Sequence, residues 1–238
     1  MEAVVEAYRR GDYATALERA DVLKETGEMA SYCLYRGSLL MQLGREQEAE
    51  GWMRRRLEMI SDARLKALSY GDLGHALMML QRYDDAMDAF TACLKLWPER
   101  PSSYRNVAEY WLRRGERSVE ALKWAMQAVE RQRAEQPDSD EARQVHEVSL
   151  AEQLTTLAWA IAVNDGDDSE VNDLVEEAVA LAGGQTVDST AMVHYQAGLA
   201  YAALHEAGKS EQHFEEAARV DPQGRWGREA RGLAAGVR

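Results

Sequence analysis

Proline, phenylalanine and cysteine are scarce in this chain. Its 238 residues include four prolines, two phenylalanines and two cysteines. β-branched runs are few and segments that alternate between apolar and polar residues are absent, which argues against β-strands. Apolar residues instead recur at intervals of three and four, which is typical of helices with one buried face. We therefore predict an all-α protein.

The two cysteines, Cys33 and Cys93, are too few and too far apart for a disulfide framework or a zinc site. We predict that both are buried thiols. The N-terminus has no basic segment followed by an apolar run, so we see no signal peptide. No run of about eighteen apolar residues predicts a membrane span. We expect a cytoplasmic location, and a further hypothesis is that the chain is part of a longer protein, because its first helix begins almost at Met1.

Acidic residues outnumber basic ones, 41 to 28, which gives a formal net charge of −13. An acidic protein repels phosphate backbones, so we do not expect nucleic acid as a partner. The C-terminal segment is an exception, because Arg225, Arg228 and Arg231 recur every third residue and would share one helical face. We consider two interpretations of this tail. It is either a cap that packs Trp226 and Leu233 on the last helices, or a basic element that docks on an acidic surface.

No pattern in the sequence predicts catalysis, a metal site or a cofactor. The five histidines form no His-Glu-x-x-His motif, and no Gly-x-Ser-x-Gly, Walker or Gly-x-Gly-x-x-Gly sequence occurs. In the acidic loop at residues 164–170 the glycine comes too early for an EF-hand, so we predict a turn in which Asp168 or Ser169 caps the next helix. Gly183 and Gly184 follow a predicted helix that ends at Ala182.

One stretch carries an ordered set of apolar and small residues on two consecutive predicted helices. Its members are Tyr70, Leu73, Gly74, Leu77, Ala86, Phe90 and Pro98. Similar sets recur on both sides of it. The small residues of the second helices, Ala16, Ala49, Ala86 and Ala121, lie 33, 37 and 35 residues apart by subtraction. The chain therefore contains an internal repeat.

This order of residues resembles the tetratricopeptide repeat (TPR), a helix-turn-helix unit of about 34 residues. The chain differs from the usual pattern in having Tyr70 in place of tryptophan and Leu77 in place of tyrosine. The resemblance implies a TPR-like right-handed superhelix of about five antiparallel helix pairs with a C-terminal capping helix. We place the units at about 1–29, 30–66, 67–100, 101–137, 138–187 and 188–222, of which 138–187 is degenerate and follows an insertion at 131–150; residues 223–238 form the cap or basic tail.

The glycines inside the first helices require a physical reason, because glycine in a helix costs about 1 kcal/mol relative to alanine. Gly37, Gly74 and Gly198 would let the two helices of a pair approach closely. We predict that Ala49 and Ala86 face these glycines from the second helix, and that neighbouring pairs stack into a continuous core.

The resemblance also implies a function, since the first helices of TPR proteins line a concave groove that binds a peptide or a partner helix. Residues on the face away from the packing stripe are then candidate ligand contacts: Tyr35, His75, Met78, Arg105, Asn106, Glu109, Trp159 and Tyr195. We expect Trp159 to be a central aromatic anchor for the ligand, whose removal weakens binding but leaves the fold intact. The alternative is that Met78 and Trp159 pack against neighbouring pairs.

Some TPR proteins hold a C-terminal carboxylate with basic residues and asparagines, and only Asn106 matches that set here. Glu152 and Thr156 stand where the basic groups would be, so we do not transfer this function. We expect a non-catalytic module that binds a neutral or basic, partly apolar protein segment, with neither nucleic acid nor membrane as a partner. The alternatives are a self-assembling scaffold and a regulatory module of a larger signalling or transcription protein; the oligomeric state stays open.

Overall fold

The computed structural model describes residues 1–183 and 186–236, and this part of the chain contains thirteen α-helices and no strand. The all-α prediction is confirmed. The first six helices are α1 (Glu2–Arg9), α2 (Tyr13–Glu25), α3 (Met29–Gln42), α4 (Glu46–Met59), α5 (Ala63–Met79) and α6 (Tyr83–Leu96). The others are α7 (Pro101–Arg114), α8 (Ser118–Ala134), α9 (Asp140–Val163), α10 (Asp168–Ala182), α11 (Val187–Ala203), α12 (Ala207–Val220) and α13 (Arg225–Gly236).

The chain forms two compact units. The first comprises Met1–Pro98 and the short segment Gln223–Arg225. Within this unit the backbone N–H of Arg225 donates to Gln42 Oε1 at 3.0 Å. The second comprises Glu99–Pro222 and the residues from Trp226 onward. Each unit contains three helix pairs, α1/α2 to α5/α6 in the first and α7/α8 to α11/α12 in the second. The described residues thus hold six pairs before α13, one more than the predicted count of about five.

Each pair contains a sharp turn with a residue in a left-handed backbone conformation, and the α7/α8 turn contains a second one, Arg117, with a φ of 49°. The first such residues of the six turns have φ between 55° and 75°, and they are Gly11, Gly44, Gln81, Gly115, Asp165 and His205. Glycine occupies three of the six positions because it has no Cβ to strain that conformation. His205 therefore has a structural place in a turn.

The glycines of the first helices permit close contact with a large side chain on the second helix. A Cβ atom on Gly74 would lie 2.3 Å from Phe90 Cε1, and one on Gly198 would lie 2.6 Å from Phe214 Cδ1. Both distances are far below a van der Waals contact. Gly74 therefore faces the helix that bears Ala86, and the side chain that fills the space beside the glycine is that of Phe90.

The alanines of the second helices lie in the core. Ala16, Ala49, Ala86 and Ala121 have no exposed surface, as the repeat pattern predicts. In the last pair a serine takes this position, and Ser210 Oγ donates to the carbonyl oxygen of Gly198 at 2.9 Å. This hydrogen bond satisfies the buried hydroxyl group, so serine can replace alanine there. Both cysteines are also buried and free, as predicted.

Most of the stretch expected as an insertion, 131–150, is helical, since α8 extends to Ala134 and α9 begins at Asp140. One local prediction in the degenerate unit is corrected. The residue that caps α10 is Asp167, whose side chain accepts a hydrogen bond from the Ser169 backbone at 2.7 Å, rather than Asp168 or Ser169. Helix α10 ends at Ala182 and Gly183 follows it, whereas Gly184 lies outside the described residues.

The last pair contains two histidines in contact. His194 Nδ1 of α11 and His213 Nδ1 of α12 are 3.0 Å apart, and the Tyr201 ring stacks on His213. Burial lowers the pKa of both rings, and the neighbouring His194 further lowers the pKa of His213, to about 4, although Glu216 opposes this. Arg219 also lowers the pKa of His194. The pair is therefore neutral at neutral pH, with one ring donating to the other.

The glycine contact predicts the effect of a single methyl group. Gly74→Ala should lower the free energy of unfolding by roughly 1–3 kcal/mol, because the new Cβ overlaps the Phe90 ring. Gly51→Ala is the matched control, since Gly51 is also inside a helix but has no atom within 4 Å of its Cβ position. It should stabilise the protein by up to about 1 kcal/mol. Urea denaturation followed by circular dichroism measures both, and equal effects would contradict the contact.

The histidine pair predicts a pH dependence. Because the pKa of His213 is lowered from its usual 6.5 to about 4, the unfolded chain binds more protons than the folded chain between these values. The contribution of His213 to the free energy of unfolding should therefore be fully present above pH 6.5 and should decline as the pH falls towards 4. In His213→Gln the melting temperature should fall less over this range than in the wild type. If the melting temperature falls equally in the two proteins between pH 6.5 and 4, the histidine pair does not contribute to the pH dependence.

Candidate interaction surface

In the second unit, α13 lies against the first helices α7 and α11. The Trp226 ring of α13 is 5.4 Å from the Tyr195 ring of α11, centroid to centroid, and only 5% of Trp226 is exposed. Glu229, one turn further along α13, forms an ion pair with α7. We call the surface beneath this helix the α13 seat; it comprises Glu109, Arg113, Met192, Tyr195 and Phe214.

A buried ion-pair chain joins α13 to the seat. Arg113 Nε donates to Glu109 Oε1 at 2.7 Å, and Arg113 Nη1 donates to Glu229 Oε2 at 3.2 Å. The Glu109 side chain has no exposed surface and that of Arg113 is 16% exposed. Burial lowers the pKa of Arg113, but Glu109, followed by Tyr195 and Glu229, outweighs burial, so that the pKa of Arg113 is raised. Arg113 is therefore a permanent cation held between two carboxylates.

Aromatic rings surround this cation. The guanidinium carbon of Arg113 is 5.6 Å from the centroid of the Tyr195 ring and 5.9 Å from that of the Trp226 ring. Both distances allow a cation–π interaction, which strengthens where water is excluded. Phe214 lies on the other side of Tyr195, at 6.0 Å between ring centroids. The seat thus combines the Glu109–Arg113 ion pair, in which Arg113 has one further nitrogen turned towards α13, with an apolar, aromatic floor.

The buried charges continue from α7 to α9. Arg105 Nη1 lies 3.6 Å from Glu109 Oε2, and Arg105 Nη2 lies 3.6 Å from Glu152 Oε2. Desolvation raises the pKa of Glu152; Arg105 opposes this, while Asp188 and Glu109 add to it. Arg105 therefore balances carboxylates on two first helices, which fixes the orientation of α7 relative to α9.

The N-terminal end of α13 also contacts the end of α12. A Cβ atom on Gly227 would lie 1.9 Å from the carbonyl oxygen of Asp221, so no other residue fits at this position. Arg231 Nη2 donates to the carbonyl oxygen of Pro222 at 2.8 Å. These contacts determine the angle at which α13 crosses the seat.

The second unit contains five of the residues that the sequence analysis assigned to a groove, and all five are buried. Their exposed fractions are 8% for Arg105, 3% for Asn106, 0% for Glu109, 8% for Trp159 and 4% for Tyr195. Glu109 and Tyr195 belong to the α13 seat. Trp159 packs in the large apolar cluster of the second unit. The packing alternative therefore describes the position of Trp159.

The first unit contains the other three predicted groove residues. Tyr35 on α3 is half-buried and packs at the edge of an apolar cluster. His75 on α5 is half-buried, and its ring makes an edge-to-face contact with Phe90 at 5.3 Å between centroids. Met78, on the same helix, is 4% exposed. All three side chains thus take part in packing within their own unit.

The structure agrees in part with the cap interpretation of the tail. Trp226 is buried as the cap interpretation requires, but Leu233 is 38% exposed, so the prediction that Leu233 packs is wrong. Arg113 and Glu229 were not among the site residues predicted from the sequence. The spacing of four residues between Glu109 and Arg113 could have predicted their ion pair, because opposite charges at that spacing on a helix interact.

The described residues offer neither a membrane-spanning helix nor a cluster of metal ligands. No helix within residues 1–183 and 186–236 is long and apolar enough to cross a membrane. The same residues contain no group of three or more histidine, cysteine or acidic side chains placed to hold a metal ion.

Comparison with known proteins agrees with the repeat pattern. A sequence profile described as tetratricopeptide repeat matches residues 1–63 and 72–143, which together make up more than half of the chain. No curated protein sequence matches at a significant level.

Several solved structures have a similar fold at low sequence identity. The chain aligns with BtubC from P. vanneervenii at 18% identity, over 92% of this chain and 89% of that one, with a TM-score of 0.53. A thermophilic TPR protein of Thermus thermophilus aligns at 16% identity, over 87% and 98%, with a TM-score of 0.57. A chain of the APC/C hetero-tetramer Cut9-Hcn1 aligns at 15% identity, over 98% of this chain and 41% of that one, with a TM-score of 0.65. At such identities the likeness shows the fold alone.

The burial of Trp159 changes the expected effect of its removal. Trp159→Ala should lower the free energy of unfolding by about 3–5 kcal/mol, because a large ring leaves a cavity in the core of the second unit. Met126→Ala is the control, because Met126 is 55% exposed and its loss should change stability by no more than about 0.5 kcal/mol. Chemical denaturation tests both, and an unchanged midpoint for Trp159→Ala would contradict the packing described above.

Proposed function

The chain belongs to the tetratricopeptide repeat family, a family of protein–protein interaction modules, and from this premise we propose that it is a non-catalytic module that binds a partner protein. The partner segment would be a peptide or helix that lies on the first helices of the second unit. This proposal retains the function that the sequence pattern implied but places the contact on the α13 seat. It replaces Trp159 as an anchor with Arg113 and Tyr195.

The observation that carries the proposal is that the α13 seat already holds a helix. One aromatic ring, Trp226, lies against Tyr195 in a site that excludes water, and one carboxylate, Glu229, pairs with Arg113. Buried aromatic anchors and arginine contribute most of the free energy in protein interfaces. The seat therefore has the composition of a recognition site for a helical segment.

The seat also changes the expected chemistry of the partner. The net charge of −13 favours the approach of a neutral or basic protein from a distance. At the seat itself, however, the raised pKa of Arg113 keeps a buried positive charge that a basic side chain would not match. We propose a partner segment that is apolar, presents one acidic residue to Arg113, and belongs to a protein of any overall charge other than strongly acidic.

A binding experiment with the full chain tests this function. Proteins that copurify with the tagged chain from native lysate would be identified, produced recombinantly and titrated against it. Hydrogen exchange of the full chain should then change at α7, α11 and α13 when the partner is added, because these helices form or cover the seat. Exchange that changes only on the second helices α8 and α12 would place the interface elsewhere. If no recombinant candidate binds, the proposed function is wrong.

A further inference from the structure

We propose that α13 is a displaceable internal ligand that blocks the α13 seat until a partner helix of matching chemistry replaces it. The matching helix carries an aromatic residue followed three positions later by an acidic residue, as Trp226 and Glu229 do. This inference rests on the proposed function, because it names the chemistry of the partner and the regulation of the same surface.

The hold of α13 on the seat is concentrated in its first turns. Trp226 and Ala230 are buried, with 5% and 0% of their surface exposed, and Glu229 pairs with Arg113. Further along the helix, residues 231–233 are all exposed to solvent. Its departure breaks the ring contact of Trp226 and the ion pair of Glu229. It also breaks two hydrogen bonds, from Arg225 N–H to Gln42 Oε1 and from Arg231 Nη2 to the Pro222 carbonyl oxygen. None of these contacts belongs to the packing inside the helix pairs beneath α13.

The helix is also intrinsically weak. It contains three glycines in twelve residues, Gly227, Gly232 and Gly236, and glycine is among the poorest helix formers. Gly227 has a packing reason, because a Cβ there would overlap the Asp221 carbonyl group. No atom lies within 4 Å of the position that a Cβ on Gly232 would take, so no close contact requires glycine there. Gly232 therefore lowers the stability of α13 without any gain in packing.

The seat defines what must replace α13. When α13 leaves, Arg113 keeps its hydrogen bond to Glu109 but loses the carboxylate of Glu229. The departure also uncovers Tyr195 and Met192, which pack against Trp226 in the closed form. A replacement must supply an apolar ring and a carboxylate on one face of a helix. A spacing of three residues meets this requirement, because side chains three residues apart lie next to each other on a helix. A basic segment would instead face Arg113 with a like charge.

The connection between α12 and α13 argues against a second copy as the occupant. Only residues 221–224 link the two helices, and Gly227 packs on the Asp221 carbonyl group within the same chain. Exchange of α13 between copies would have to break this contact and extend a short linker. We therefore assign the seat to a helix of a different protein.

A labelled peptide with the sequence of residues 223–236 is the probe, and its affinity for full-chain variants is measured by fluorescence anisotropy. Trp226→Ala in the chain should raise the affinity for the probe by about thirtyfold, because the competing helix loses its aromatic anchor. Gly232→Ala should lower the affinity by about fivefold, because it strengthens the competing helix. Leu233→Ala is the matched control on the same helix; Leu233 is exposed, so the affinity should not change.

The peptide itself supplies a second control. A probe with alanine in place of its tryptophan, or glutamine in place of its glutamate, should lose most of its affinity for the Trp226→Ala protein. Equal binding of these peptides would overturn the assignment of partner chemistry. If Trp226→Ala does not fold, judged by circular dichroism, Gly232→Ala decides the question, since an unchanged affinity in that folded variant means that α13 does not compete.

The remaining outcomes separate this inference from the proposed function. A dimer of the wild-type chain in light scattering, dissociated by the probe, would identify a second copy as the occupant and overturn the choice of partner. A natural partner that binds the wild type, Trp226→Ala and Gly232→Ala with equal affinity would leave the proposed function intact and overturn the internal ligand. If the variants change the affinity for the probe as expected but no natural partner binds the chain, the internal ligand stands and the proposed function is overturned.

Discussion

The close contact between a glycine of the first helix and a large side chain of the second is the constraint on which the repeat depends. Phe90 lies where a Cβ on Gly74 would be, and Phe214 occupies the same place opposite Gly198. The ring fills the space only because the glycine leaves it, and the fully buried alanine one turn earlier, Ala86, lets the helices approach. The two helices of a pair therefore have one spacing, which sets where the outer surface of each first helix lies.

Buried charge adds a second level of specificity in the second unit. Glu109 has no exposed surface and Arg113 little, so that either group alone would cost several kcal/mol. Together with Glu229 they form a series of ion pairs that favours one placement of α13. The reason is that a buried charge without a partner is strongly unfavourable. An apolar contact alone would hold the helix with less precision. The same charges give the seat its preference for an acidic residue next to an aromatic one.

An interaction surface that is covered by part of its own chain links stability to function. The contacts that bury Trp226 stabilise the folded protein, and the same contacts compete with any segment that binds to Tyr195 and Arg113. The strength of α13 as a helix then sets how tightly a partner must bind. Its glycine content lowers that strength, whereas the glycines inside α5 and α11 are required for packing.

The sequence by itself determined the repeat, the all-α class and the buried positions of Ala16, Ala49, Ala86 and Ala121, because these follow from local periodicity and from the size of side chains at fixed spacing. It also selected Glu109 and Tyr195, although as parts of an open groove. Only the tertiary structure decided that Trp159 lies in the core and that Arg113 pairs with Glu229, which is 116 residues away along the chain. A periodic pattern defines which face of a helix is apolar, but it carries no information about which distant segment covers that face.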